Sequence, residues 1–140
     1  IVQHPDDASL WNNREKYYSG KGMYSLALVD AQKAIELDSS VAEYFYTISD
    51  IYFVANRTGD SKRALEKCLQ LKPEYTDALL KLAELNLYVR HYDESINNIN
   101  KALKVDKYNA KAYFMKGMNF KEMGDTAIRS RPAGSAYPVI

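Results

Sequence analysis

TDALLKLAELNLYVRHYDESINNINKALKVDKYN, residues 76–109, contains two runs in which apolar and small residues recur three, four or seven positions apart. That spacing places them on one face of a 3.6-residue helix, so the stretch predicts two amphipathic helices. Small residues at Ala83, Ser95 and Ala102 let two antiparallel helices approach closely. The stretch therefore predicts one tightly packed helix pair.

The same pattern returns along the chain with a period of 34 residues. The aligned positions form columns of shared chemistry. The large apolar column contains Trp11, Phe45, Leu79 and Tyr113. A small column in the first helix of each pair contains Ser49, Ala83 and Gly117, with Glu15 as the exception. Two small columns in the second helix contain Ala27, Ser61 and Ser95, and then Ala34, Cys68 and Ala102.

The columns place the helices and their ends. The first helices of the pairs are predicted near 7–20, 41–55, 75–89 and 109–123. The second helices are predicted near 24–38, 58–72 and 92–106. Asp7, Thr58 and Asn109 precede apolar-periodic runs and are the expected N-cap residues.

This pattern resembles the tetratricopeptide repeat (TPR) family. Residues 76–109 carry the family's diagnostic residues, which are Leu79, Leu82, Ala83, Tyr92, Ser95, Ile99 and Ala102. Asn86 and Lys107 depart from the family pattern, as do Arg14 and Glu15 in the first unit. The resemblance implies an all-α, right-handed superhelical solenoid of antiparallel helix pairs, with about three and a half repeats.

The columns also divide the chain into units. The predicted units are the end of a preceding repeat (1–7), three repeats (8–41, 42–75, 76–109), the first helix of a truncated fourth (110–127) and a non-repeat tail (128–140). Arg129 stands where a small residue is expected, and Pro132 breaks a helix. We therefore expect a fragment of a longer solenoid.

Composition argues against several classes of function. Nineteen Lys and Arg against eighteen Asp and Glu alternate in sign, so no footprint for nucleic acid stands out. No apolar stretch approaches the roughly 18 residues that span a bilayer. Cys68 occupies a packing column, and no catalytic, cofactor or metal constellation is found, so we expect a protein that is not an enzyme.

The surface carries the functional hypothesis. In the TPR family the first helices line the concave side, which implies a groove for a peptide or partner protein. The residues predicted to bind are Tyr46, Asp50, Leu80, Lys81, Glu84, Tyr88, Lys111, Phe114 and Met118. Apolar and aromatic members would anchor the partner, and charged members would orient it.

The family's best-known use is a clamp for the C-terminal carboxylate of heat-shock chaperones, and this chain does not fit it. In one frame the clamp positions read Asn12, Lys16, Thr47, Asp77 and Lys81. In the next frame they read Tyr46, Asp50, Lys81, Lys111 and Met115. Asp50 or Asp77 would repel a carboxylate, so the clamp is rejected.

A structural alternative stays open. Terminal repeats that lack a polar capping face expose apolar surface, so the chain could instead self-associate through its exposed repeat ends or its tail. Residues 128–140 show none of the columns, which indicates either a segment foreign to the array or one that packs on an apolar surface. The two surfaces considered are the concave groove and the uncovered face of the 92–106 helix.

Overall fold

The computed structural model describes residues 5–130, with side chains described for 5–125. This part of the chain forms helices and turns only. The helices are α1 (Ala8–Gly20), α2 (Tyr24–Leu37), α3 (Ala42–Val54), α4 (Thr58–Leu71), α5 (Thr76–Tyr88), α6 (Tyr92–Val105) and α7 (Ala110–Ser130). The predicted all-α solenoid of helix pairs is confirmed, and α1 to α6 begin and end within about a residue of the expected positions. The predicted packing of the tail on an apolar surface lies outside the described residues.

The turn inside each pair has the same geometry three times. Gly22, Asn56 and Arg90 have φ of 74°, 61° and 64°, and they occupy one column of the repeat. The next residue's amide then donates back into the first helix, for example from His91 N to the carbonyl oxygen of Asn86 at 2.7 Å. A left-handed residue at this point ends a helix and satisfies its last carbonyls.

Two of the three predicted N-caps are confirmed. The Asp7 carboxylate accepts from the Ser9 amide at 3.1 Å, and the Asn109 side chain accepts from the Ala112 amide at 3.0 Å. Thr58 was expected to cap α4, but it is the first helical residue and Arg57 precedes it. The left-handed turn at Asn56 is followed by only one residue before the helix begins, which moves the cap position back to Arg57.

α7 is longer than predicted. The first helix of the fourth pair is predicted near 109–123, and Gly124 aligns with the turn residues Gly22, Asn56 and Arg90. Instead the helix runs through Gly124 to Ser130. In the earlier units the turn is held by a second helix that packs back against the first. Position 129 is an arginine, whereas close packing of a second helix on the first requires a small residue there. A turn at Gly124 would therefore not be stabilised by a close helix–helix contact.

The core runs continuously from one pair to the next. Ala27, Ile48 and Ala64 share a cluster that joins α2, α3 and α4, while Leu65 and Ala78 join α4 to α5. A third cluster joins α5, α6 and α7 and consists of Leu79, Leu80, Ala83, Ile99, Ala102, Ala112 and Met115. Each pair therefore buries its apolar face against its neighbour, as repeat solenoids require.

Leu80 belongs to this core and corrects a predicted groove residue. It is 2% exposed and packs with Ala112 and Met115 of α7. Asn12, which occupies the same column two units earlier, is also buried, and Tyr46, one unit earlier, is partly buried against the cluster that joins α4 to α5. This column faces the next unit's first helix, so Leu80 is a stacking residue and does not present its side chain to a partner.

Leu80→Ala should destabilise the protein by about 2–5 kcal/mol, because it removes a buried side chain and leaves a cavity. Leu26→Ala is the matched control, since Leu26 is 45% exposed on α2 and should lose less than about 1 kcal/mol. Urea denaturation followed by circular dichroism measures both. Equal losses for the two variants would contradict the assignment of Leu80 to the core.

Candidate functional site

The first helices α1, α3 and α5 are joined to one another by ion pairs. Lys16 Nζ lies 2.9 Å from Glu43 Oε1, which links α1 to α3. Lys81 Nζ lies 3.0 Å from Asp50 Oδ1, which links α3 to α5, and 3.9 Å from Glu84 Oε2. We call the charged surface that these three helices share the groove.

Tyr46 forms part of the groove wall. Its ring stacks on that of Tyr75, with centroids 5.3 Å apart and planes 24° from parallel. Burial, followed by the nearby Asp50, Asp77 and Glu84 charges, raises the pKa of Tyr46 to about 12. The phenol is therefore neutral and half-buried in acidic surroundings.

Tyr88 lies at the other end of the groove. It is 66% exposed, and its ring meets that of Phe53 edge to face with centroids 6.4 Å apart. The Lys81 ammonium lies 5.7 Å from the centroid of the Phe53 ring. The Lys81 cation from the middle of α5 thus lies close to the Phe53 and Tyr88 rings at the C-terminal ends of α3 and α5.

The remaining predicted residues, Lys111, Phe114 and Met118, lie on α7 and are exposed. Phe114 is 69% exposed because it occupies the stacking column of Leu80, and no further first helix follows α7 among residues 5–130. Phe114 and Met118 line a cavity of about 500 Å³ whose described residues all belong to α7. Phe114 and Met118 therefore lie apart from Tyr46 and Asp50, which line a different cavity, described next.

A second cavity, of about 330 Å³, lies between α1 and α3. Its lining residues are Glu15, Lys16, Ser19, Glu43, Tyr46, Thr47, Asp50 and Tyr75. We call it the α1–α3 cavity. Of these residues, only Tyr46 and Asp50 are among the site residues predicted from the sequence. The available signal was Glu15 itself, the one charged residue in an otherwise small column.

Glu15 is buried without full compensation. Glu15 is 2% exposed. The Ser19 hydroxyl donates to Glu15 Oε1 at 2.5 Å, whereas Glu15 Oε2 has no hydrogen-bond partner in the protein. Burial is the main cause that raises the pKa of Glu15, and the Asp50 and Asp30 charges add to it. The Ser19 hydrogen bond and the Lys16 charge oppose that rise in pKa.

Asp30 is buried beside Glu15 but is fully paired. Arg14 donates to it from Nε and from a terminal nitrogen, both at 2.8 Å. This two-pronged pair ties α1 to α2 and uses the Arg14 cation. Glu15 consequently remains the buried carboxylate without a cation of its own.

Other kinds of site find no support in the described part of the chain. Residues 5–125 contain no group of three His, Cys, Asp or Glu side chains that could hold a metal ion. Cys68 is buried, and the loss of solvent raises its pKa to about 11, which suits a packing residue. A membrane crossing would need a longer and more apolar helix than any that the structure describes.

Comparison with known proteins defines the family. The family model for the tetratricopeptide repeat matches residues 42–75. The chain is 28% identical over 95 residues to the TPR repeat-containing protein YpiA of Bacillus subtilis, covering 68% of this chain and 22% of that protein. It is 30% identical over 90 residues to human serine/threonine-protein phosphatase 5, covering 64% of this chain and 18% of that protein. The chain thus spans about a fifth of the length of these relatives.

Solved structures of TPR proteins have the same fold as this chain. The chain superposes on YrrB, a TPR protein described as having an unusual peptide-binding site, with TM-score 0.78, 25% identity and coverage of 92% of this chain and 68% of that one. It also superposes on the first TPR of Spaghetti (RPAP3) bound to the HSP90 peptide SRMEEVD, with TM-score 0.80, 14% identity and coverage of 85% and 94%. This chain is a tetratricopeptide repeat protein.

Glu15→Gln should change how stability depends on pH. Because the native state raises the Glu15 pKa above its ordinary 4.5, the native state binds this proton more tightly than the unfolded state. The wild type therefore gains full stability from this group below about pH 4.5 and loses it as the pH rises through the native pKa. Gln does not titrate, so the unfolding free energy of the variant minus that of the wild type should grow with pH across this window.

Urea denaturation at a series of pH values measures that difference. Glu66→Gln on α4 is the control, because it removes an exposed carboxylate, and its difference from the wild type should stay nearly flat. Parallel curves for Glu15→Gln and the wild type would contradict the raised pKa.

Proposed function

We propose that this chain is a protein–protein interaction scaffold without catalytic activity, and that it binds an extended peptide segment along the groove. The observation that carries the proposal is the α1–α3 cavity, which opens beside the ion-paired surface of three consecutive first helices. Thr47 and Asp50 line it, and neither belongs to a core cluster. A preformed cavity in which few lining residues belong to the hydrophobic core is suited to ligand binding.

The structural neighbours support the type of function. YrrB is described as having a peptide-binding site, and the RPAP3 domain was solved with the peptide SRMEEVD. That peptide is acidic, whereas the groove here carries Glu43, Asp50, Asp77 and Glu84. Like charges brought together on binding are unfavourable, so we propose a partner that is not acidic.

The proposed contact residues differ in part from those predicted from sequence. Leu80 is withdrawn because it is buried, and Glu15, Lys16, Glu43 and Thr47 are added because they line the α1–α3 cavity. Tyr46, Asp50, Lys81, Glu84 and Tyr88 stay as the central contacts. Lys111, Phe114 and Met118 stay as a separate apolar extension on α7.

Selection from a phage-displayed library of random peptides, followed by fluorescence anisotropy with the enriched peptides, tests the proposal. The double variant Thr47→Arg, Tyr88→Ala should weaken their binding by about tenfold or more, because it fills one end of the groove and removes an aromatic contact at the other. Tyr108→Ala is the control, since Tyr108 is exposed in the turn before α7. Enriched peptides that bind the double variant as well as the wild type would contradict groove binding.

A second candidate function is self-association through α7. Tyr113 and Phe120 align with Leu79 and Asn86, which are buried inside a pair, yet both are more than half exposed. Together with Phe114 they form an exposed apolar face, and such faces mark interaction sites. Light scattering over a range of concentrations tests it, with Phe120→Glu expected to abolish any growth in mass. A strict monomer at high concentration would rule it out.

A further inference from the structure

The charges that line the α1–α3 cavity do not balance. Three carboxylates line it, those of Glu15, Glu43 and Asp50. Lys16 pairs with Glu43, and Lys81 pairs with Asp50. Both lysines are therefore used, and one negative charge is left over when all three carboxylates are ionised.

That remaining charge belongs to a buried group. Ser19 satisfies one Glu15 oxygen with a neutral donor, and Oε2 has no partner. Leaving a buried carboxylate oxygen without a protein donor is costly, because no protein group replaces the hydration lost on burial. Rotation about the terminal torsion of a glutamate is soft, so the free oxygen can turn toward a donor that enters the cavity.

The cavity walls also suit a cation. The stacked rings of Tyr46 and Tyr75 line it, and aromatic faces attract ammonium and guanidinium groups. The Lys72 ammonium already lies 5.2 Å from the Tyr75 centroid, so Tyr46 is the ring that would contact an entering cation. No metal-binding group of three ligands exists among the described residues, which favours an organic cation over a metal ion. A volume of about 330 Å³ is ample for the end of one long side chain.

We propose that the α1–α3 cavity is a specificity pocket for a cationic side chain of the bound peptide, a lysine or an arginine, with Glu15 as its counter-ion. This proposal rests on the proposed function, since it names the chemistry of the partner. A cation in the pocket gives Glu15 Oε2 its missing donor and offsets the surplus charge.

The pocket should release its ligand in acid. Protonation of Glu15 removes the counter-ion, so the affinity for a cation falls as the pH drops through the native pKa of Glu15. The other charged groups that face Glu15 are Lys16 on α1, the Arg14–Asp30 pair between α1 and α2, and Asp50 on α3. Arg14 and Lys81 hold Asp30 and Asp50 in ion pairs, so Glu15 should dominate the pH dependence.

Titration of the full chain with blocked amino acids, followed by amide chemical shifts in NMR, tests the pocket directly. The probes are N-acetyl-lysine and N-acetyl-arginine methylamides, and the neutral controls of similar shape are the norleucine and citrulline analogues. At neutral pH the cationic probes should bind at least about tenfold more tightly than the neutral ones, with the largest shifts at Glu15 and Thr47. This preference should disappear below about pH 4.5.

The variants sharpen the result. Glu15→Gln should lower the affinity for the cationic probes to that for the neutral ones, while Glu66→Gln should leave it within about twofold. The pH dependence of the wild type tests the same point without any variant. Equal binding of cationic and neutral probes, or a preference that Glu15→Gln leaves intact, would overturn the proposal.

The selected peptides separate this proposal from the proposed function. Groove-dependent peptides that show no need for lysine or arginine would overturn the cationic pocket and leave groove binding in place. Cationic probes that bind at Glu15 while no peptide can be selected would overturn groove binding and leave the pocket in place.

Discussion

The close approach of the two helices within each pair is the constraint on which the rest of this structure depends. Ala27 and Ala34 are fully buried where α2 crosses α1. In the next two pairs the Ser61 and Ser95 hydroxyls sit at that crossing and donate to the Ser49 and Ala83 carbonyl oxygens at 2.9 and 2.7 Å. A small side chain that can also satisfy its own hydroxyl keeps the backbones close without an orphaned polar group.

Glu15 shows what happens when this rule is broken at one position. The other members of its column are Ser49, Ala83 and Gly117, and a carboxylate cannot be fitted between the helices with full hydration. The α1–α2 pair keeps its packing, since the half-exposed Arg14 forms an ion pair across it with the buried Asp30. The Glu15 side chain is left lining the α1–α3 cavity with one oxygen unsatisfied. A single departure from the repeat pattern thus places a buried carboxylate without a cation in the groove.

Periodicity in the sequence was enough to place the helices, because the small columns report directly on the crossings that stabilise each pair. It did not separate the groove from the stacking face, since both lie on the first helices and both contain large residues. Leu80 and Phe114 share a column, yet α7 covers Leu80 and no described helix covers Phe114. The length of α7 was missed for a related reason. Gly124 permits a turn, but a turn forms only where a second helix can pack back.

The repeats of this scaffold stack through similar residues in every unit, whereas the residues that line the groove differ from unit to unit. The core residues recur from unit to unit, while the groove residues change in charge and size along the chain. The specificity of the groove depends most on Glu15 being a buried carboxylate that lacks a cation. The direct measurement is the titration of its side-chain carboxyl carbon by NMR in the free protein. A midpoint above the ordinary 4.5 is the predicted result, and a midpoint at or below that value would contradict the account.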